Sequence, residues 1–204
     1  MAVTSKLQRS RAEVRLAHRD LVLVAARKVL LRDGSYRFSL RGVARELGCS
    51  PAAIYNYYAD KDELIAASTA AAFTKLGTQL RKIKKTAGIA DKVRKMGELY
   101  VQFGLANPED YAIAFTVPVT ASRSKPDTPH EIYFLVEHVI ADAVEAGELF
   151  GSPSEIVQVM WMGWHGLVSL LIQRPNFPWA SRRRLISAVV ESVVQSLPTD
   201  KSSR

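Results

Sequence analysis

Between residues 39 and 61 the chain gathers side chains that can grip an anion: Ser39, Arg41, Tyr55, Asn56, Tyr57 and Lys61. Each is a neutral or cationic hydrogen-bond donor, which is what a phosphate oxygen accepts. Among them lie Ser50, Pro51, Ala52 and Ala53. These small residues let a backbone approach base edges closely, and an alanine methyl can pack on a thymine methyl. A second group is apolar with one polar member: Phe103, Phe115, Met160, Trp161 and His165. Aromatic and thioether side chains around a single polar group are a usual lining for a small-molecule pocket. The same five side chains would serve equally well as plain core around a satisfied histidine.

Other reactive types are sparse. His138 and Asp142 stand four apart on one helical face, with His130 eight residues earlier. Two ligands are too few for a metal site, so an exposed surface pair is the expectation. The single cysteine, Cys49, excludes an internal disulfide framework and is read as packing in a turn. No nucleophile elbow, glycine-rich phosphate loop or paired metal motif occurs, so neither an enzyme nor a bound cofactor is expected.

The elements that must carry these residues are helical. Apolar residues recur at three and four almost throughout, and no alternating β-branched run interrupts them. The predicted fold class is all-α, with about nine helices. A first helix over 11–32 carries Leu21, Val24, Ala25 and Val29 and stops at Gly34. Ser39 caps a short second helix with Leu40, Val43, Ala44 and Leu47, ended by Gly48. Ser50-Pro51 opens a third helix whose Ile54 and Tyr58 should face the first. Asp60 caps a fourth helix, 61–85. Helices at 89–106, 108–117, 130–146, 153–173 and 179–196 follow, with Ser152 to Glu155 as a capping box. The Pro/Ser/Thr-rich segment 118–129 reads as a loop.

The second and third helices, joined by Gly48-Cys49-Ser50, form a helix-turn-helix pattern, in which a small residue lets two helices cross steeply. Its second helix is the one that enters a major groove, N-terminal residues toward the bases. Charge agrees. The chain has 204 residues and a net charge of +8. Residues 1–95 carry 20 Lys/Arg against 8 Asp/Glu, and residues 96–204 carry 8 against 12, so +12 and −4 sum to +8. A basic front half joined to a mildly acidic, apolar back half points to a polyanion such as DNA as partner. The N-terminus has no apolar stretch after its basic residues, and no apolar run reaches the roughly 18 residues of a membrane helix. A cytoplasmic, nucleoid-associated protein without membrane contact is expected.

The stretch from Ser39 to Gly48, followed by Ser50 to Leu64, resembles the DNA-binding region of TetR/AcrR-type transcriptional regulators. The resembling signature is Tyr55, Tyr57, Tyr58, Lys61 and Glu63-Leu64. Tyr57 stands where the family more often has His, and Tyr58 where it more often has Phe. The resemblance covers residues 14–66. It implies that Tyr55, Tyr57 and Lys61 contact phosphates and that residues 51–53 and 56 lie nearest the bases. Trp164-His165-Gly166, with Tyr100 to Phe103 and Ala106 to Tyr111, is similar to the Trp-His-Gly type of C-terminal regulator domain. That resemblance implies a domain that senses a ligand and dimerises through the last two helices, which carry Leu167, Leu170, Leu171, Ile172, Val189, Val190, Val193 and Val194.

These readings predict a DNA-binding domain at 1–66 and an effector-binding, dimerising domain at 67–204. The expected protein is a homodimeric one-component repressor, released from a palindromic operator on double-stranded DNA by a small hydrophobic effector. Alternatives are an effector-independent architectural DNA binder and an enzyme using a pocket at His165.

Overall fold

The computed structural model describes residues 2–83, 88–116 and 131–199. Among these the chain forms nine α-helices and no strand. They are α1 (Ala2–Arg37), α2 (Leu40–Leu47), α3 (Pro51–Tyr55), α4 (Lys61–Leu80), α5 (Ile89–Ala106), α6 (Pro108–Thr116), α7 (Glu131–Glu145), α8 (Pro153–Gln173) and α9 (Arg182–Gln195). The expected loop at 118–129, Lys84-Lys85 and His130 lie outside the described residues.

The expected stops act, with local differences. Gly34 breaks α1 at φ 71°, ψ 168°, and the chain then resumes a short helical stretch to Arg37. Gly48 ends α2 in the left-handed region at φ 68°, and Gly147 follows α7 at φ 74°. The third helix is shorter than the apolar spacing predicts, ending at Tyr55 with Asn56 as its C-cap. Helices α4 and α9 are shorter too.

The chain divides into two compact units: Met1–Ala72 with Glu109–Asp127, and Phe73–Pro108 with Thr128–Arg204. The first division falls within α4. The first unit has one apolar core. Val22, Ala25, Ala26, Val29 and Leu30 of α1 pack there with Leu40, Val43 and Ala44 of α2. Phe38, Ile54, Tyr58, Leu64, Ile65 and Ile113 complete it. Ile54 and Tyr58 are buried, as their spacing predicts. Leu21 and Val24 are not: they are 56% and 53% exposed. Two apolar stripes wind along α1, and spacing at three and four fits both. What decides is which stripe α2 and the residues after it cover. Cys49, expected to pack, is also exposed.

The second unit is built around α8. It packs against α5, α7 and α9, and α5 also packs against α9. Two glycines set these approaches. A Cβ built on Gly97 of α5 would lie 2.7 Å from Trp164 Nε1, and one on Gly163 of α8 would lie 2.8 Å from a Val193 methyl. The Arg94 guanidinium ties α5 to α9 by donating to both Glu191 carboxylate oxygens, at 2.5 and 3.2 Å. Contrary to the sequence expectation, α8 is by length and composition apolar enough to cross a membrane. Its Ile156, Val157, Met160, Trp164, Val168 and Leu171 are buried within this unit.

Candidate functional site

The candidate DNA contacts come together in the first unit, on α2, α3 and the turn leading into α4. Two serines fix the starts of these helices. Ser39 Oγ accepts a hydrogen bond from the Gly42 backbone N–H at 3.1 Å, and Ser50 Oγ accepts from Ala53 N–H at 3.3 Å. Each hydroxyl keeps its own proton to offer, and both serines are exposed. Between them, Arg41 is exposed, as are Pro51 and Ala52, while Ala53 is half-buried. Tyr55 is 58% exposed and Asn56 beside it is exposed too, so α3 offers an open face opposite buried Ile54. The start of α4 is a reciprocal capping box. Asp60 Oδ1 accepts from Glu63 N–H at 2.8 Å, and Glu63 Oε2 accepts from Ala59 N–H at 2.6 Å. This box holds Lys61, half-buried, just beyond the recognition turn.

Helix α1 braces this motif. Arg32 donates to Asp33 at 2.8 Å and to Glu46 of α2 at 2.9 Å. Hydrogen bonds to Asp33 and then Glu46 raise the Arg32 guanidinium above its ordinary value, and Arg32 in turn lowers the Asp33 carboxyl. The Arg19 guanidinium lies 4.9 Å from the centre of the Tyr58 ring and 3.6 Å from Glu63. Arg27 pairs with Asp110 of α6. One contact has no precursor in the linear pattern: His18 Nδ1 lies 3.1 Å from the Tyr57 hydroxyl, with the rings edge to face. These residues are 39 positions apart, so no spacing rule could pair them.

The candidate effector residues behave differently from one another. Phe103 and Met160 are buried in the second unit, and Phe103 stacks on Phe73 at 6.3 Å. Trp161 is 41% exposed and His165 is half-buried. Phe115 belongs to the first unit, where its ring lies 4.6 Å from that of Tyr111. The structure adds two residues that sequence reasoning did not select, Tyr100 and Ser169. Trp161 Nε1–H donates to the Tyr100 oxygen at 3.2 Å. The Tyr100 proton is then available to His165 Nδ1 at 3.3 Å, which leaves the imidazole proton on Nε2, facing Ser169 Oγ at 3.1 Å. Burial lowers the His165 pKa, so the ring is neutral at pH 7. Ser169 could have been found from its i+4 spacing to His165. Tyr100 is 65 residues away and needed the fold.

A cleft of about 400 Å³ lies elsewhere in this unit, lined by Phe134, Glu137, His138, Ala141, Ser152, Pro153 and Ser154. His138 and Asp142 form the expected exposed pair, 3.9 Å apart. Among the described residues no three His, Cys, Asp or Glu side chains cluster as metal ligands would.

A helix-turn-helix braced on a basic first helix, in a chain with a separate all-helical unit, defines a two-part helix-turn-helix protein. The comparisons name the family. Residues 22–68 match the model of bacterial regulatory proteins of the tetR family. Residues 93–197, half of the chain and including Trp164-His165-Gly166, match the tetracyclin repressor-like C-terminal domain. The chain belongs to the TetR family of bacterial regulatory proteins. HTH-type transcriptional regulators of Mycobacterium tuberculosis and Mycobacterium bovis are 26% identical over 129 residues, 62% of this chain. The match spans about half, 55%, of those relatives' length.

Solved structures share the fold. A putative TetR-family regulator from Shewanella sp. PV-4 superposes with a TM-score of 0.72 at 14% identity, covering 88% of this chain and 97% of that one. A TetR-family regulator from Marinobacter aquaeolei gives 0.70 at 19% identity, covering 94% and 100%. A protein of unknown function from Rhodococcus sp. RHA1 gives 0.63 at 24%, covering 88% and 94%.

Proposed function

We propose that this regulator is a homodimeric repressor that binds a palindromic operator through residues 1–66 and is released by a small hydrophobic effector held by residues 67–204. The observation that carries the reading is the open face of the helix-turn-helix. Small Pro51 and Ala52 sit at the front of α3, with Tyr55, Asn56, Ser39, Arg41 and Lys61 around it. Ser50, Ala53 and Tyr57 complete the contact set. The small residues face base edges and the donors face phosphates. Two such heads reading successive major grooves stand about 34–36 Å apart.

Dimerisation through α8 and α9 is supported by an exposed apolar stripe. Val159, Met162 and Leu170 are 51%, 64% and 51% exposed on one face of α8. Gly166 stands among them, and nothing lies within 4 Å of a Cβ built there. A second helix can approach closely at such a position. The effector sits in the second unit against Trp161 and His165, with buried Phe103 and Met160 of the same unit supporting its apolar lining. Tyr100 and Ser169 set which donors and acceptors it meets. An effector that binds the released state better weakens DNA binding, and by linkage DNA weakens effector binding equally.

Selection of duplexes from a random DNA pool at near-physiological salt tests this. A consensus of two inverted half-sites is expected. Recovery of a single unpaired half-site, or of no consensus, would overturn the dimeric operator reading.

A further inference from the structure

We infer that His18 is a positioning residue for DNA binding, which turns the Tyr57 hydroxyl toward phosphate by taking up a proton. The inference rests on the operator reading above and on Tyr57 as a phosphate contact. His18 lies outside the family-matched segment 22–68, on the exposed part of α1.

The argument is an accounting of one proton. A phosphate oxygen only accepts, so Tyr57 must donate its single O–H to bind it. In the structure that hydroxyl lies 3.1 Å from His18 Nδ1. A neutral imidazole with its proton on Nε2 accepts at Nδ1 and takes the phenol proton. The phenol then shows only lone pairs outward, which repel phosphate. An imidazolium instead donates from Nδ1 to the phenol oxygen. The Tyr57 proton is released to point outward.

The surroundings favour this direction once DNA is bound. The charged groups within four residues of His18 on α1 are Arg15, Arg19 and Asp20; across from it stands Tyr57, next to Tyr58, whose ring Arg19 covers. Arg19 is paired with Glu63 at 3.6 Å. The field of the phosphates therefore supplies the main new charge, and it stabilises the imidazolium. The sign follows. Proton uptake at His18 and DNA binding favour one another by linkage, so DNA affinity is higher at the acidic end. The gain is lost as rising pH removes that proton.

The test uses full-length protein and the duplex recovered from the random pool, with anisotropy titrations from pH 5.5 to 8.0 at constant ionic strength. The wild-type affinity should fall with pH, with a slope below the one-proton limit of about tenfold per pH unit per protomer. His18→Ala leaves the phenol proton unclaimed, so it should bind without slope and, at pH 8, no more weakly than wild type. His18→Arg, a permanent donor, should bind at pH 8 more tightly than wild type and also without slope. Circular dichroism on both variants should match wild type, because His18 is exposed. In Tyr57→Phe the slope should collapse. A full slope surviving in Tyr57→Phe would overturn the route through the phenol. A wild-type affinity independent of pH would overturn the inference while leaving the operator reading intact. Failure to recover any duplex would overturn both.

Discussion

The close approach of α5 to α8 makes Gly97→Ala a severe change for one methyl group. The new Cβ would lie 2.7 Å from Trp164 Nε1, 2.8 Å from Cε2 and 3.1 Å from Cζ2. These atoms belong to a rigid ring that is 4% exposed. On another side the ring meets Tyr100 at 6.0 Å, and Nε1 is buried with no hydrogen-bond partner among the described residues. The indole has no rotamer freedom to spare, so the helices must separate. Overpacking of this kind costs about 1–3 kcal/mol. Alanine in a helix interior returns about 1 kcal/mol relative to glycine, so the net destabilisation is about 0–2 kcal/mol.

Gly77→Ala is the control that removes this ambiguity. A Cβ there meets Arg81 Nη1 at 3.3 Å, the far end of an exposed side chain, and Ile132 at an ordinary 3.6 Å. It gains the propensity without the clash. The difference between the two variants therefore isolates the overpacking, about 1–3 kcal/mol, or about 2–4 °C in Tm for each kcal/mol. Urea unfolding followed by tryptophan fluorescence measures it. Protomer concentration must be held fixed, because oligomer stability depends on it. If Gly97→Ala proves as stable as Gly77→Ala, the α5–α8 contact is not the tight one described.

Three further outcomes are expected. Asp110→Ala should destabilise the first unit by about 1–3 kcal/mol, because it strips a half-buried Arg27 of its partner. Replacing both as Arg27→Met with Asp110→Leu should recover most of that loss in thermal melts. Ser39→Ala should cost about 1 kcal/mol through loss of the α2 cap, and Ser39→Asp should restore that stability while weakening DNA binding by adding charge of the wrong sign. The lowered His165 pKa means that the unfolded chain binds its proton first as pH falls below about 6.5. Stability should therefore decline through that window on acidification, with a change in tryptophan emission as Tyr100 loses its acceptor. In His165→Gln this part of the pH dependence should be absent, and its persistence would place the cause elsewhere.

Much of this was legible in sequence because it is local. Ser39, Gly48, Ser50-Pro51, Asp60 and Ser152 act on backbone groups within four residues, and hydrogen bonding and φ preference decide those positions without a tertiary partner. The helix-turn-helix was readable for the same reason: its caps, turn and inward Ile54 and Tyr58 all fall within one short stretch. The asymmetry of charge is simple counting.

The tertiary structure decided what depends on which surface is covered. Leu21 and Val22 are neighbours of similar hydropathy, yet one is exposed and the other buried, because α2 and the residues after it cover only one stripe of α1. Trp161 and Trp164 separate in the same way on α8. The pairs His18–Tyr57, Trp161–Tyr100 and Tyr100–His165 join residues 39, 61 and 65 positions apart. Helical periodicity relates side chains only within a turn or two. Which donor faces which acceptor across such distances is fixed only when the helices pack.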